Sequence, residues 1–193
     1  MFDSLKPKTK MRPEELGITL ATALVSQWLE RITKHTEEYG KRVLDITQRE
    51  LADLWQLFLM LHCTVISAGV ESSGLEDKNT RIVLDSFWNS VGDLLRENGF
   101  EREALAFQTN TTQWYETLRR LVIDPDSAFP SPGSLGPGKK LFVLAMPNRD
   151  MRENIDLVMQ LTGYFVATEV ALHEFAIKSV KRTKFLPSMI SYG

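Results

Sequence analysis

Apolar residues recur at helical spacing in four blocks before residue 124 and in one after residue 150. In the first block Pro13 takes a first-turn position and Glu14 and Glu15 follow where the helix dipole favours acids. Ile18, Ala21, Leu24, Val25, Trp28, Leu29 and Ile32 then share one face, and Gly40 stands where a helix stop is expected. The second block opens on Thr47-Gln48-Arg49-Glu50, which fits a capping box. Leu51, Leu54, Trp55, Phe58, Leu61, Val65 and Ile66 form its stripe. Leu57, Leu59 and Met60 lie off that stripe, so this helix is apolar nearly all round and belongs at the centre.

The third block, Asn79 to Glu97, turns Val83, Phe87, Trp88, Val91 and Leu95 inward and closes on Asn98-Gly99. The fourth runs from Glu101 to Ile123 on Ala104, Phe107, Trp114, Leu118, Leu121 and Val122, with poor helix formers at Thr109 to Thr112. From Asp124 to Gly138, four prolines and three glycines predict a loop. The short run Lys139 to Met146 fits a lone strand, a short helix or an extended arm equally well. A final helix begins near Asp150 and ends before Pro187.

The expected fold is therefore all-α: a single-domain bundle of about five helices over residues 13–186. A Pro/Gly-rich loop with a short apolar segment, 124–149, precedes the last helix. A flexible basic arm is expected at 1–12 and a tail at 187–193.

Composition changes this picture only at its edges. The chain has 193 residues, 43% apolar and 25% charged, with a formal charge of −2, so no global charge argues for nucleic acid. Residues 1–12 carry a net +3 and residues 178–184 a net +4, leaving an acidic body between basic ends. Those ends are solvated cations complementing a helix dipole, or a weak contact for a phosphate surface. The single cysteine, Cys63, points to a reducing compartment, and MFDSLKPKTK has no apolar run, so a cytoplasmic protein is expected. Leu54 to Val70 is uncharged but falls about one turn short of the ~20 residues of a membrane span, and reads as a core helix.

Candidate chemistry centres on Glu169 and His173. They lie four residues apart on a stripe with Ile155, Val158, Phe165, Val166, Ala176, Ile177 and Val180. Di-metal bundles use Glu-x-x-His, whereas this spacing is Glu-x-x-x-His. The acids Asp85, Asp93, Glu97, Glu103 and Glu116 sit on polar sides, so a dinuclear centre is excluded. His62 is central on the second helix and would complete a set with Glu169 and His173 for one Zn or Fe ion, if the two helices face each other. The simpler reading pairs Glu169 with His173 and completes the network through Thr162, Thr64 or Tyr164. Gly163, Ala167 and Ala171 recur every fourth residue, as a solvent face or a polar-rimmed dimer contact.

Phosphate-loop, dinucleotide, nucleophile-elbow and zincin motifs are absent from the sequence. The expected function is that of a non-enzymatic bundle acting through protein–protein contacts, as a homodimer, with no cofactor. The 139–146 run is the candidate arm that docks on a second subunit. The alternative is an enzyme or sensor that binds a metal or small ligand at Glu169, His173 and His62.

Overall fold

In the computed structural model, which describes residues 8–42, 47–124 and 136–190 (backbone alone for 33–42, 48 and 112), helices dominate. α1 spans Pro13–Arg42, α2 Gln48–Glu71, α3 Asp77–Glu97 and α4 Glu101–Ile123. α5 spans Gly136–Ala145, and a single turn at Arg152–Asn154 leads into α6, Ile155–Lys181. Two short strands, β1 (Thr9–Met11) and β2 (Thr183–Phe185), pair in parallel.

The all-α class stands, but the count of five does not: six α-helices lie among the described residues. The extra one begins in the last three residues of the expected loop and takes up the 139–146 run, for which a short helix is one of the three expected forms. Pro137 sits in its first turn, where a missing N–H costs nothing. Gly138 lets the helix backbone press against Val158 and Thr162 of α6, where a Cβ would collide. Leu141, Phe142, Ala145 and Met146 are buried, so the 139–146 run is a core helix of its own chain. It is not an arm on a second subunit. Residues 125–135 of the expected loop lie outside the described residues.

α2 is central, as its all-round apolar sequence requires. Thr47 and Glu50 form the capping box, with Glu50 N–H donating to Thr47 Oγ1 at 3.2 Å and Thr47 N–H to Glu50 Oε2 at 2.7 Å. Leu57, Leu59, Met60, Leu61, Val65 and Ile66 are fully enclosed, packed chiefly by α6 and α4. α1 packs chiefly on α3. Gly40 does not stop α1, which runs on to Arg42; one interior glycine costs only about 1 kcal/mol. Asn98-Gly99 does end α3, with Gly99 at φ 82° and Phe100 N–H returning to Leu95 O at 2.9 Å.

Glu50 also receives Arg149, at 2.6 and 3.0 Å, tying the approach to α6 onto the start of α2. The guanidinium, with the Thr47 hydrogen bonds, lowers the Glu50 carboxyl to about 2 from an ordinary 4.5. A carboxyl depressed on folding gives stability that is complete above pH 4.5 and decays as pH falls towards 2. Glu50→Gln should therefore lower the melting temperature at neutral pH. Its difference from the parent should shrink steadily across that acid window in a series of thermal melts.

The two basic ends meet. Thr9 pairs with Thr183, Lys10 with Lys184 and Met11 with Phe185, while Thr9 N–H reaches Arg182 O and Leu186 N–H reaches Met11 O, both at 3.0 Å. The arm expected to be flexible is thus a strand from Thr9, and Lys184 lies in β2 rather than in the last helix. Met11 and Phe185 pack against the core and supply the apolar contact that holds so short a pair. Beyond β2, Ser188 Oγ and the backbone N–H groups of Met189 and Ile190 donate to Glu14, so residues 188–190 of the expected tail dock on the first turn of α1.

Candidate functional site

α6 buries Leu157, Val158, Leu161, Phe165, Thr168, Ala176 and Val180. That arc is rotated by roughly 60° from the stripe read in the sequence, at 100° per residue. Ile155 and Val166, expected inside, are 44% and 47% exposed. Glu169 and His173 fall at the margin of the buried arc and are half-buried.

The proposed ligand set does not assemble. His173 Nε2 meets Ser72 Oγ at the end of α2, at 3.0 Å. His62 is buried, as expected, but its Nε2 meets Tyr164 Oη at 2.6 Å. Among the described residues no three His, Cys, Asp or Glu side chains form a group able to hold a metal ion. Thr64 and Thr162 bond back to Met60 O and Val158 O of their own helices, and Tyr164 bonds His62 rather than completing a network on Glu169 and His173. The register between α2 and α6 decides this, and neither helix's periodicity contains it.

His62 and Tyr164 floor a cleft of about 570 Å³ between α1 and α6, with Arg31, Ile66, Thr168 and Phe175 on its walls. Burial, and then the nearby Arg31 charge, lower the imidazole to about 3, so it is neutral at physiological pH. Burial raises the Tyr164 phenol, while Arg31 and Thr168 hydrogen-bond to it. His62 Nε2 and the Tyr164 hydroxyl share one hydrogen bond, whose direction the imidazole tautomer sets. Phe58 stacks on Tyr164 at 4.1 Å between centroids. This neutral, satisfied pair holds α6 against α2. Cys63 is buried and its thiol is pushed up by desolvation, which leaves it unreactive.

The side of α6 that runs from this cleft round to solvent is the more unusual surface. Met159 and Val170 are 55% and 54% exposed, and with Ile155 and Val166 they line the first sixteen residues of the helix. Beside them lie Gly163, where a Cβ would meet nothing within 4 Å, and the exposed Ala167 and Ala171, which also form the rim of the cleft towards α1. Both α2 and α6 are long and apolar enough to cross a membrane; α2 is mostly buried in the bundle, whereas α6 is mostly exposed. The outward band also carries Asp156, Gln160, Glu174 and Lys178, the last two bonded at 2.6 Å. These positions are symmetric about Ala167: Asp156 and Lys178 lie eleven residues to either side, Gln160 and Glu174 seven, and Gly163 and Ala171 four. The small-residue stripe was legible in the sequence. Its apolar border was not, because Ile155 and Val166 also fitted a core stripe. No family model, no curated protein and no solved structure matches the chain.

Proposed function

We propose that this protein is a non-enzymatic helical bundle that acts through protein–protein contact with a second copy of itself, and that the outward face of α6 is the contact. The observation that carries this reading is the exposed apolar border of Ile155, Met159, Val166 and Val170 on a helix that packs only its other face into the core. A two-fold antiparallel crossing at Ala167 makes the patch self-complementary. It sets Gly163 against the partner's Ala171 beside the crossing, where the backbones come closest, and Asp156 against the partner's Lys178 towards the helix ends. The unpaired thiol of Cys63 supports a cytoplasmic setting.

Ala167→Cys tests the geometry. The crossing places the two new thiols beside the two-fold axis, whereas those of Asp156→Cys would lie about 33 Å apart at 1.5 Å per residue. Mild oxidation should give a covalent dimer of the first variant and not of the second. Equal crosslinking of both, or none of either, would count against the arrangement.

A second reading rests on the meeting of the basic ends. Lys8, Lys10, Lys181, Arg182 and Lys184 are all exposed, and Lys10 and Lys184 are direct register neighbours. Like charges opposite one another on a sheet are unfavourable, and a phosphate surface relieves them. Anionic vesicles should bind the chain at low salt and release it near 0.5 M, where screening falls to roughly 4 Å. Lys10→Glu with Lys184→Glu should abolish that binding; equal binding to neutral vesicles would discard the reading.

A further inference from the structure

The cleft floored by His62 and Tyr164 has two unlike ends, because α1 and α6 run past each other in opposite directions. β1 leads into α1 and pairs with β2, which follows α6, so the start of α1 lies by the end of α6. Arg31, further along α1, lies instead beside the phenol of Tyr164. On α2, His62 meets Tyr164, and Gly69 two turns on backs against His173 and Ala176, so Ile66 belongs to the far end. The lining therefore passes from Arg31, Gln27 and Tyr164 to Ala23, Leu24, Ile66, Leu172 and Phe175. Its α1 wall, from Ala23 to Arg31, is about 12 Å long at 1.5 Å per residue.

Arg31 is the single formal charge among the described residues of the lining, since His62 is neutral and no carboxylate stands there. Its guanidinium carries five N–H donors, more than one phenol oxygen can accept. At the other end Phe175 is 38% exposed and Ala171 is exposed, so apolar surface meets water inside the trough. The volume of about 570 Å³ is that of a small-ligand site. We infer that this cleft binds a single-chain amphiphile with a carboxylate head, of the medium-chain fatty acid class. The carboxylate takes the remaining donors of Arg31, and the hydrocarbon tail covers Ile66, Leu172 and Phe175. One chain completes the site, so it goes beyond self-association and does not rest on it.

The test titrates the full chain at neutral pH with decanoate, decanol and hexanoate, each below its aggregation concentration. Decanol lacks the charge, and hexanoate lacks four methylenes of the tail. Decanoate should bind at least about tenfold more tightly than either. Intermolecular Overhauser contacts should join its terminal methyl to the Phe175 ring and its α-methylene to the Tyr164 ring. Arg31→Gln, at an exposed position, should cost decanoate about tenfold. Decanol should bind that variant as it binds the parent, which also reports that the variant is folded. Ala167 and Ala171 belong both to the cleft rim and to the proposed crossing, but Val166 and Val170 do not line the cleft. Decanoate binding should therefore persist in Val166→Glu/Val170→Glu, while sedimentation reports pairing separately. The inference is overturned by equal affinity for decanoate and decanol, or by an Arg31→Gln variant that binds decanoate like its parent. Loss of binding in Val166→Glu/Val170→Glu, or contacts confined to Met159, Val166 and Val170, would also overturn it.

Discussion

Replacing Gly17 by valine will cost about 3 kcal/mol of stability and lower the thermal midpoint by roughly 6–12 °C for a chain of this size. Gly17 lies where α1 meets α3, the most extensive helix pairing in the fold. A Cβ there would press on Val83 O, and would lie 2.8 Å from Ser86 Cβ and 2.9 Å from Phe87 N. Two of these three are backbone atoms of a neighbouring helix, which cannot turn aside as a long side chain can. On local grounds alone the change should help, because glycine is a worse helix former than valine. The clash therefore has to win for the expected sign to appear. Gly92 provides the control: it is buried in α3, but a Cβ there would meet only an Arg96 guanidinium nitrogen at 3.8 Å. Gly92→Ala should gain about 0.5–1 kcal/mol. Calorimetric melts that ranked the two variants the other way would mean that α1 and α3 are not in close contact.

The second large effect concerns association. Val166→Glu together with Val170→Glu should weaken self-association by at least about 100-fold, or ~2.7 kcal/mol. The dimer would then hold four new carboxylates near its two-fold axis, each losing water on contact and facing like charge. Both valines are about half exposed in the single chain, so its own melting should change little. Sedimentation velocity over a concentration series reads the first effect and circular dichroism the second. The charge pairing has its own control: Asp156→Lys alone should weaken the dimer, and adding Lys178→Asp should restore it, because the pair is reversed rather than lost. If the doubly charged variant associates like its parent, the face is solvent-facing.

The helices whose ends carry their own chemistry are the ones legible in the sequence. Thr47 and Glu50 announce α2, Asn98-Gly99 closes α3, and α4 begins and ends where its apolar period does. The start of α5, and the choice of helix over strand or arm, are illegible for a physical reason. Its first three residues, Gly136, Pro137 and Gly138, are poor helix formers, and only the contact with Val158 and Thr162 rewards a glycine at 138. The facing of α6 is lost for another: the helix is apolar on most sides, so its sequence barely distinguishes inward from outward. Of the candidate site, His62 was rightly placed inside α2's stripe. Its partner is Tyr164 rather than Glu169 and His173, because pairing across helices depends on an interhelical register that no single period encodes. The strands are three residues each, too short to show alternation, and their partners lie at opposite ends of the described chain.

The most direct test of self-association through α6 is the mass of the unmodified chain in solution, by sedimentation equilibrium from low to high micromolar concentration. The expected result is a reversible species at twice the 22.0 kDa chain mass. A mass of 22.0 kDa at every concentration would contradict it.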